Sequence, residues 1–108
     1  MGGVLPATGP WRQDDDVVTG VVQVGRDAFQ RRAWRDAYVQ LSLAGRDAQL
    51  EIEDLERLAT AAYLIGADDG ADLWARAHYL CLRRGELVRA VRCALWLAYW
   101  LVDRGDVA

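Results

Sequence analysis

The sequence predicts an all-α fold, and three observations support this prediction. Apolar residues recur every three or four positions along most of the chain, which is the period of an amphipathic helix. Glycines follow several of these stripes, where a left-handed residue commonly ends a helix. The strict alternation typical of strands competes only in the valine-rich run "VVTGVVQV". We therefore expect about five helices.

The first helix is predicted to begin at Asp14–Asp16, after a disordered tail over residues 1–13. Its valines are β-branched and favour a strand by propensity, but the helical period continues as far as Phe29. Gly25 is expected to be a small residue at a helix crossing. The inner face consists of Val17, Val21, Val24 and Ala28, with Val18, Val22 and Phe29 beside it.

The second helix is predicted to stop at Gly45, and the third to run from about Glu51 to Gly66 with a solvated acidic first turn. The inner face of the second contains Trp34, Ala37, Tyr38, Leu41 and Ala44. That of the third contains Ile52, Leu55, Leu58, Ala59, Ala62 and Ile65.

The fourth helix is predicted to end at Gly85, and the fifth to run from about Leu87 to Arg104. The apolar run "CALWLAYWLV" in the fifth helix is too short for a membrane span, which needs about 20 residues. The inner face of the fourth helix contains Ala71, Trp74, Ala75, His78 and Leu82.

Two tight turns, "RAWRDA" at 32–37 and "GADDGA" at 66–71, indicate an internal repeat of 34 residues. The positions before each turn also correspond: Val21, Val24, Gly25 and Ala28 match Leu55, Leu58, Ala59 and Ala62. A third copy, offset by 39, is Ala94, Leu97, Ala98 and Leu101 before "RGDVA". Antiparallel helix pairs with this period are typical of tetratricopeptide repeats. Residues 14–108 are therefore predicted to form a tetratricopeptide-like α-solenoid with units at about 17–50, 51–86 and 87–108, the last incomplete.

The phrases "DLERLATAAYLIG", "LWARAHYLCLRRGE" and "RAVRCALWL" occur in an order that resembles a known family. Over about residues 22–108, the chain is similar to the helical-repeat segment at the amino end of actinobacterial LuxR-type transcriptional regulators. The resemblance implies an array that senses or scaffolds, followed in the family by a helix-turn-helix that binds DNA. This chain ends at Ala108 without that motif, and it contains no Lys with which to complete a phosphate-binding loop. Direct nucleic-acid contact is therefore not expected from this segment.

The composition predicts a cytoplasmic protein without cofactor, metal or membrane contact. The net charge of −3 argues against a nucleic-acid surface, and the amino terminus lacks a signal-peptide pattern. Cys81 and Cys93 are interpreted as small buried hydrophobic residues, with a disulfide or metal pair as the alternative.

We expect no catalytic activity. His78, the one histidine, is interpreted as a core or interface residue, and Ser42 has no motif around it. The carboxylates of "EIEDLE" are predicted to be solvated, and neither acidic run has a calcium-loop pattern. Four arginines surround Gly85 and are expected to face solvent or to complement a helix end, with an acidic or nucleic-acid partner as the alternative: Arg83, Arg84, Arg89 and Arg92.

A partner-binding groove is predicted along the first helix of each unit, for a protein or a peptide. Its expected residues are Arg26, Phe29, Gln30, Glu56, Thr60, Tyr63, Arg92, Tyr99 and Asp103. The alternative is that these residues pack against a neighbouring domain.

A second surface is predicted on the fifth helix, which has almost no polar face. Leu95, Trp96 and Trp100 should form an exposed patch for self-association as a homodimer, or for docking onto the remaining repeats of a parent regulator. The leading hypothesis is thus a non-catalytic interaction or sensing segment of such a regulator. The alternative is a stand-alone tetratricopeptide adaptor that self-associates through this helix.

Overall fold

The computed structural model of this chain describes residues 10–103, with side chains described for 19–46 and 48–103. Within that range the chain is all-helical and has no strand, which confirms the predicted fold class. No helix in this part of the chain is both long enough and apolar enough to cross a membrane. The five helices are α1 (Pro10–Gln30), α2 (Trp34–Asp47), α3 (Ile52–Ile65), α4 (Gly70–Arg83) and α5 (Leu87–Asp103).

Helix α1 begins four residues earlier than the sequence predicts, at Pro10 rather than Asp14. Residues 10–13 are therefore helical and do not belong to a tail. Proline suits the first turn of a helix because its φ is already helical and its missing N–H would have no partner there. The rest of the predicted tail, residues 1–9, lies outside the described residues. The valine-rich run is helical, as its period predicted.

The turns after α1, α3 and α4 share one hydrogen-bonding pattern. In each turn an amide N–H donates to the carbonyl oxygen five residues earlier, next to a residue with positive φ: Arg32 at 63°, Gly66 at 77° and Gly85 at 73°. The bonds run from Ala33 to Ala28 at 2.9 Å, from Ala67 to Ala62 at 2.8 Å and from Glu86 to Cys81 at 2.9 Å. This is the Schellman arrangement, which satisfies carbonyls that a helix end leaves unpaired. The first two of these turns are 34 residues apart, as the sequence period predicts.

The predicted end of α2 at Gly45 is wrong. The helix continues to Asp47, and the chain then becomes extended at Ala48, with φ −154° and ψ 157°. Leu50 folds back so that its side chain would lie 3.5 Å from a Cβ at Gly45. The glycine thus allows a close approach of the returning chain, rather than a left-handed turn.

The core lies between consecutive helices, each of which packs against the next. The predicted face of α2 is correct: Ala37, Leu41 and Ala44 are buried, with Trp34 and Tyr38 half-buried. On α3 five of the six predicted residues are buried, and Ile65 is half-buried. On α1 Gly25 and Ala28 are buried, while Val24 is exposed. A Cβ at Gly25 would lie 2.7 Å from Leu41, so Gly25 is a crossing-point glycine as predicted.

The predicted inner face of α4 is out of phase by about one residue. Ala75 and Leu82 are exposed, and the buried residues are Gly70, Leu73, Trp74, Ala77 and Cys81. The connection before α2 contains three residues, 31–33, whereas the one before α4 contains four, 66–69. The longer connection rotates α4, so the 34-residue correspondence holds for α1 and α3 but not for α2 and α4.

The third predicted copy is also misplaced, because α5 buries Ala90, Cys93 and Trp100 and exposes Ala98. Trp100 lies over Gly70 of α4, at the place that a Cβ would otherwise take. The large indole needs a neighbour without a side chain, and Gly70 provides one. The turn "RGDVA" that was to follow this copy lies outside the described residues.

Candidate interaction groove

Helix α3 lies between α1 and α5. It packs against α1 directly, and its side chains contact α5 at constant separations: Glu53 to Arg89, Glu56 to Arg92 and Tyr63 to Tyr99 are each 36 residues apart. Contacts that advance together along both helices mean that α3 and α5 run parallel. Together with α1, they form the walls of one groove.

The groove has a volume of about 370 Å³. Three arginines, two glutamates and three aromatic residues line it together with one threonine. The lining residues are Phe29, Glu53, Glu56, Arg57, Thr60, Trp74, Arg89, Arg92 and Trp96.

Four residues of the predicted binding surface lie in this groove: Phe29, Glu56, Thr60 and Arg92. The other five do not line it. Arg26 is held by a buried carboxylate on α3, and Gln30 is exposed at the end of α1. Tyr63, Tyr99 and Asp103 lie together beyond the groove, where the Tyr63 hydroxyl donates to Asp103 at 3.2 Å.

Sequence reasoning missed Glu53, Arg57, Trp74, Arg89 and Trp96 as groove residues. A signal for part of this set was available. Glu53, Glu56 and Thr60 follow the same three- and four-residue spacing as Arg89, Arg92 and Trp96, so each trio occupies one helix face. Opposite charges at matching positions of two such faces predict that the faces meet.

Ion pairs join α3 and α5 along the groove. Arg89 donates to Glu53 at 3.0 Å, and Arg92 donates to both carboxylate oxygens of Glu56 at 3.1 Å. Glu53 lies at the start of α3, where a backbone N–H and then Arg89 lower the pKa of its carboxyl group. Because Glu53 and Arg92 are about half exposed, each pair stabilises the fold by less than about 1 kcal/mol. Their larger effect is to position the guanidinium groups along the groove wall.

These contacts also change the interpretation of the arginines around Gly85. Arg89 and Arg92 face α3 rather than solvent, as the ion pairs above require. Arg83 instead lies over the ring of Tyr79, with 5.7 Å between the guanidinium carbon and the ring centroid, and Arg84 is 3.8 Å from Glu51. The four arginines are therefore divided between two surfaces.

Asp54 is buried, with 1% of its surface exposed, so the prediction of a solvated acidic turn is wrong for this residue. Arg26 donates to its carboxylate through Nε at 2.8 Å and Nη2 at 2.7 Å, and Arg57 adds a third bond at 2.9 Å. A bidentate guanidinium matches a carboxylate in geometry and charge, which offsets the cost of burying Asp54. The same hydrogen bond raises the pKa of Arg26. This charge cluster ties α1 to α3 next to the groove.

Aromatic rings from α3, α4 and α5 close one end of the groove. Trp74 and Trp96 stack with centroids 5.8 Å apart and an angle of 12° between their planes. Tyr63 contacts Trp96 and Trp100, at 6.4 and 5.6 Å between centroids. Removal of the phenol from water and hydrogen bonds with Tyr99 and Asp103 raise the pKa of Tyr63 to about 12. The cluster holds Trp96 at the groove edge with 43% of its surface exposed.

The predicted patch on α5 is only partly correct. Leu95 and Trp96 are exposed, but Trp100 is 3% exposed because it packs on Gly70 and Tyr63. A different set forms the exposed side of the helix, spaced so that its members share one face. We term it the α5 apolar face: Val88, Val91, Leu95 and Val102, which are between 58% and 87% exposed.

A second cleft, of about 420 Å³, lies between α2 and α4 on the other side of the molecule. The Tyr38 hydroxyl donates to Asp69 at 3.0 Å there, and Ser42, Arg46 and Arg76 also line it. No sequence pattern pointed to this cleft. Although it is slightly larger, its side chains offer one aromatic ring, whereas the groove offers three rings and three guanidinium groups. We therefore place the candidate site in the groove.

His78 is a half-buried residue of α4. Its Nδ1 lies 2.8 Å from the backbone carbonyl oxygen of Ala90, which can only accept, so Nδ1 carries the proton. The histidine thereby links α4 to α5.

No model of a known protein family, no curated protein and no solved structure matches the chain. The function must therefore be argued from the sequence pattern and the groove.

Proposed function

We propose that this chain is a non-catalytic, tetratricopeptide-like interaction segment that binds a protein or peptide in the groove of α1, α3 and α5. The observation that carries the proposal is the position of α3 between α1 and α5, with the first helix of each predicted unit facing one groove. In a repeat array the equivalent helices of successive units lie side by side in this way. The recurrence of one turn after 34 residues supports the same repeat.

The groove chemistry supports a peptide as the ligand. Three guanidinium groups and the half-exposed Trp96 occupy one wall and one end of an open cleft. Arginine and tryptophan are enriched among residues that dominate binding energy, since they combine apolar area with directional donors. Glu53 and Glu56 already balance two of the three arginines, so the ligand need not be strongly acidic.

The resemblance to actinobacterial LuxR-type regulators extends this proposal to a biological setting. In that setting the chain senses or scaffolds, and its partner is a protein or the remaining repeats of a parent regulator. DNA binding would then belong to a helix-turn-helix elsewhere. Sequencing the reading frame beyond codon 108 tests this part: further repeats and a helix-turn-helix support it, and a stop codon there contradicts it.

Peptide binding is tested by selecting ligands for the purified chain from a displayed peptide library. Thr60→Arg places a long charged side chain in the groove and should weaken a selected peptide by at least about tenfold, which corresponds to about 1.4 kcal/mol. Ser42→Arg is the matched control, because it puts the same side chain at a half-buried hydroxyl residue of the opposite cleft. Equal loss in both variants, or loss only in Ser42→Arg, would contradict the proposal.

The α5 apolar face favours a second candidate function, a stand-alone adaptor that self-associates. Four large aliphatic residues on one exposed helix face are costly in water, and pairing two copies would bury them. Sedimentation velocity should then show a concentration-dependent dimer that Leu95→Glu dissociates. A monomer at every concentration excludes this adaptor and leaves the groove proposal intact.

A further inference from the structure

Three helices bring three metal-ligating side chains together beneath the groove. Cys81 of α4, Cys93 of α5 and Glu56 of α3 each offer one ligand atom, and these atoms all lie within 4.8 Å of one another. Both cysteines are free and fully buried, and the Cys93 thiol donates to Glu56 Oε2 at 3.4 Å. The sequence gave little weight to a metal pair because no third ligand was apparent. The fold supplies that ligand from a residue 25 positions before Cys81.

We propose that Cys81, Cys93 and Glu56 form a binding site for a thiophilic divalent cation of the zinc class. Zinc combines thiolate sulfur and carboxylate oxygen in tetrahedral sites, with bonds of about 2.3 and 2.0–2.2 Å, which place neighbouring donors about 3.6–3.8 Å apart. The Cys93–Glu56 contact is already shorter than that. The longest separation in the cluster must close by about 1 Å, which small side-chain rotations allow. Three protein ligands leave one position for water or for a further ligand.

The charge balance of the buried cluster also favours a divalent cation. Binding replaces two thiol protons, which leave to solvent, with one ion of charge +2, so the total charge of the cluster does not change. The carboxylate of Glu56 stays compensated by Arg92 at 3.1 Å and Arg89 at 3.7 Å. Glu86, which pairs with Arg89 at 3.4 Å, is the other nearby charge. The ion therefore adds no uncompensated charge to the interior, which would otherwise oppose its binding.

Such an ion would stabilise the fold and is independent of the proposed groove function. It would join α3, α4 and α5 through one centre in a part of the molecule otherwise held by apolar packing and exposed ion pairs. Ions that bind only the folded state raise stability by mass action.

The site is tested with cobalt(II) as a spectroscopic probe and zinc(II) in calorimetry, using the whole chain kept reduced by a phosphine. We expect one ion per chain, a thiolate-to-cobalt charge-transfer band, and loss of that band when zinc is added. Cys93→Ser should weaken zinc binding by more than about tenfold, the lower end of what losing even an outer-sphere partner costs. His78→Gln is the control, because it removes the other residue that commonly binds zinc.

A second measurement covers the case in which Cys93→Ser does not fold. In the unmodified chain, zinc should slow the alkylation of Cys81 and Cys93 by a maleimide, whereas magnesium should not. Absence of stoichiometric zinc binding, binding that survives Cys93→Ser, or binding that disappears in His78→Gln would each overturn the proposal.

Discussion

Helix α3 has a neighbour on either side, and the two contacts use different chemistry. Towards α1 it presents a single buried carboxylate, Asp54, gripped by Arg26 and Arg57. Towards α5 it presents exposed ion pairs at one end and a cluster of aromatic rings at the other. Helices in equivalent positions of a repeat can thus be held together by unrelated interactions. The shared feature is the backbone arrangement, which explains why the repeat is hard to recognise from its letters.

The α3–α5 contact should be most sensitive at its aromatic end. Trp100 is buried over Gly70, so Trp100→Ala removes a large indole from the core and should cost about 3–5 kcal/mol in free energy of unfolding. Trp96→Ala is the matched comparison, because Trp96 is 43% exposed and should cost about 1–2 kcal/mol. Urea denaturation followed by circular dichroism measures both. Equal losses would mean that Trp100 is not the buried ring.

The α1–α3 contact should respond next. Asp54→Asn keeps the size of the side chain but removes the charge that pairs with Arg26 and Arg57. Breaking a buried ion pair costs about 3–5 kcal/mol, but both arginines are more than a third exposed and can regain water, so we expect about 2 kcal/mol. In Arg26→Ala the loss from a further Asp54→Asn change should become smaller. Strict additivity in that double-mutant cycle would show that the pair does not interact.

The exposed ion pairs should matter least. Arg89→Ala should cost less than about 1 kcal/mol at neutral pH, because Glu53 is half exposed and solvent screens the pair. The folded state lowers the pKa of Glu53, so the pair stabilises the fold above the carboxyl group's ordinary pKa. That stability disappears as the pH falls through the lowered value. The difference between Arg89→Ala and the unmodified chain should therefore shrink in acid, and a difference that grows in acid would contradict the assigned partner.

Local features of the fold were predictable from the sequence. Helical period located all five helices, and Gly66 and Gly85 were correctly identified as left-handed residues at helix ends. Gly45 was not, because the sequence cannot show that Leu50 packs against it. Likewise, the phase of α4 depends on one additional residue in the connection before it, which propensity cannot count.

The candidate site was predictable only where it depends on single helices. Thr60 and Arg92 were placed correctly because each lies on a polar helix face that the period identifies. The burial of Asp54 depends on Arg26, 28 residues away, and the exposure of Trp100 was misjudged because its neighbour Gly70 is 30 positions before it. Such contacts depend on how helices pack, and a helical stripe does not contain that information.

The central claim is that α1, α3 and α5 form one groove that binds a peptide. The most direct measurement is a titration of the isotopically labelled chain with a selected peptide, followed through the backbone amide resonances. The groove account predicts shifts concentrated in residues 53–60 and 89–96, with residues 39–46 of the opposite cleft unchanged. Shifts centred on residues 39–46, or on Val88, Val91 and Leu95 of the α5 apolar face, would contradict it.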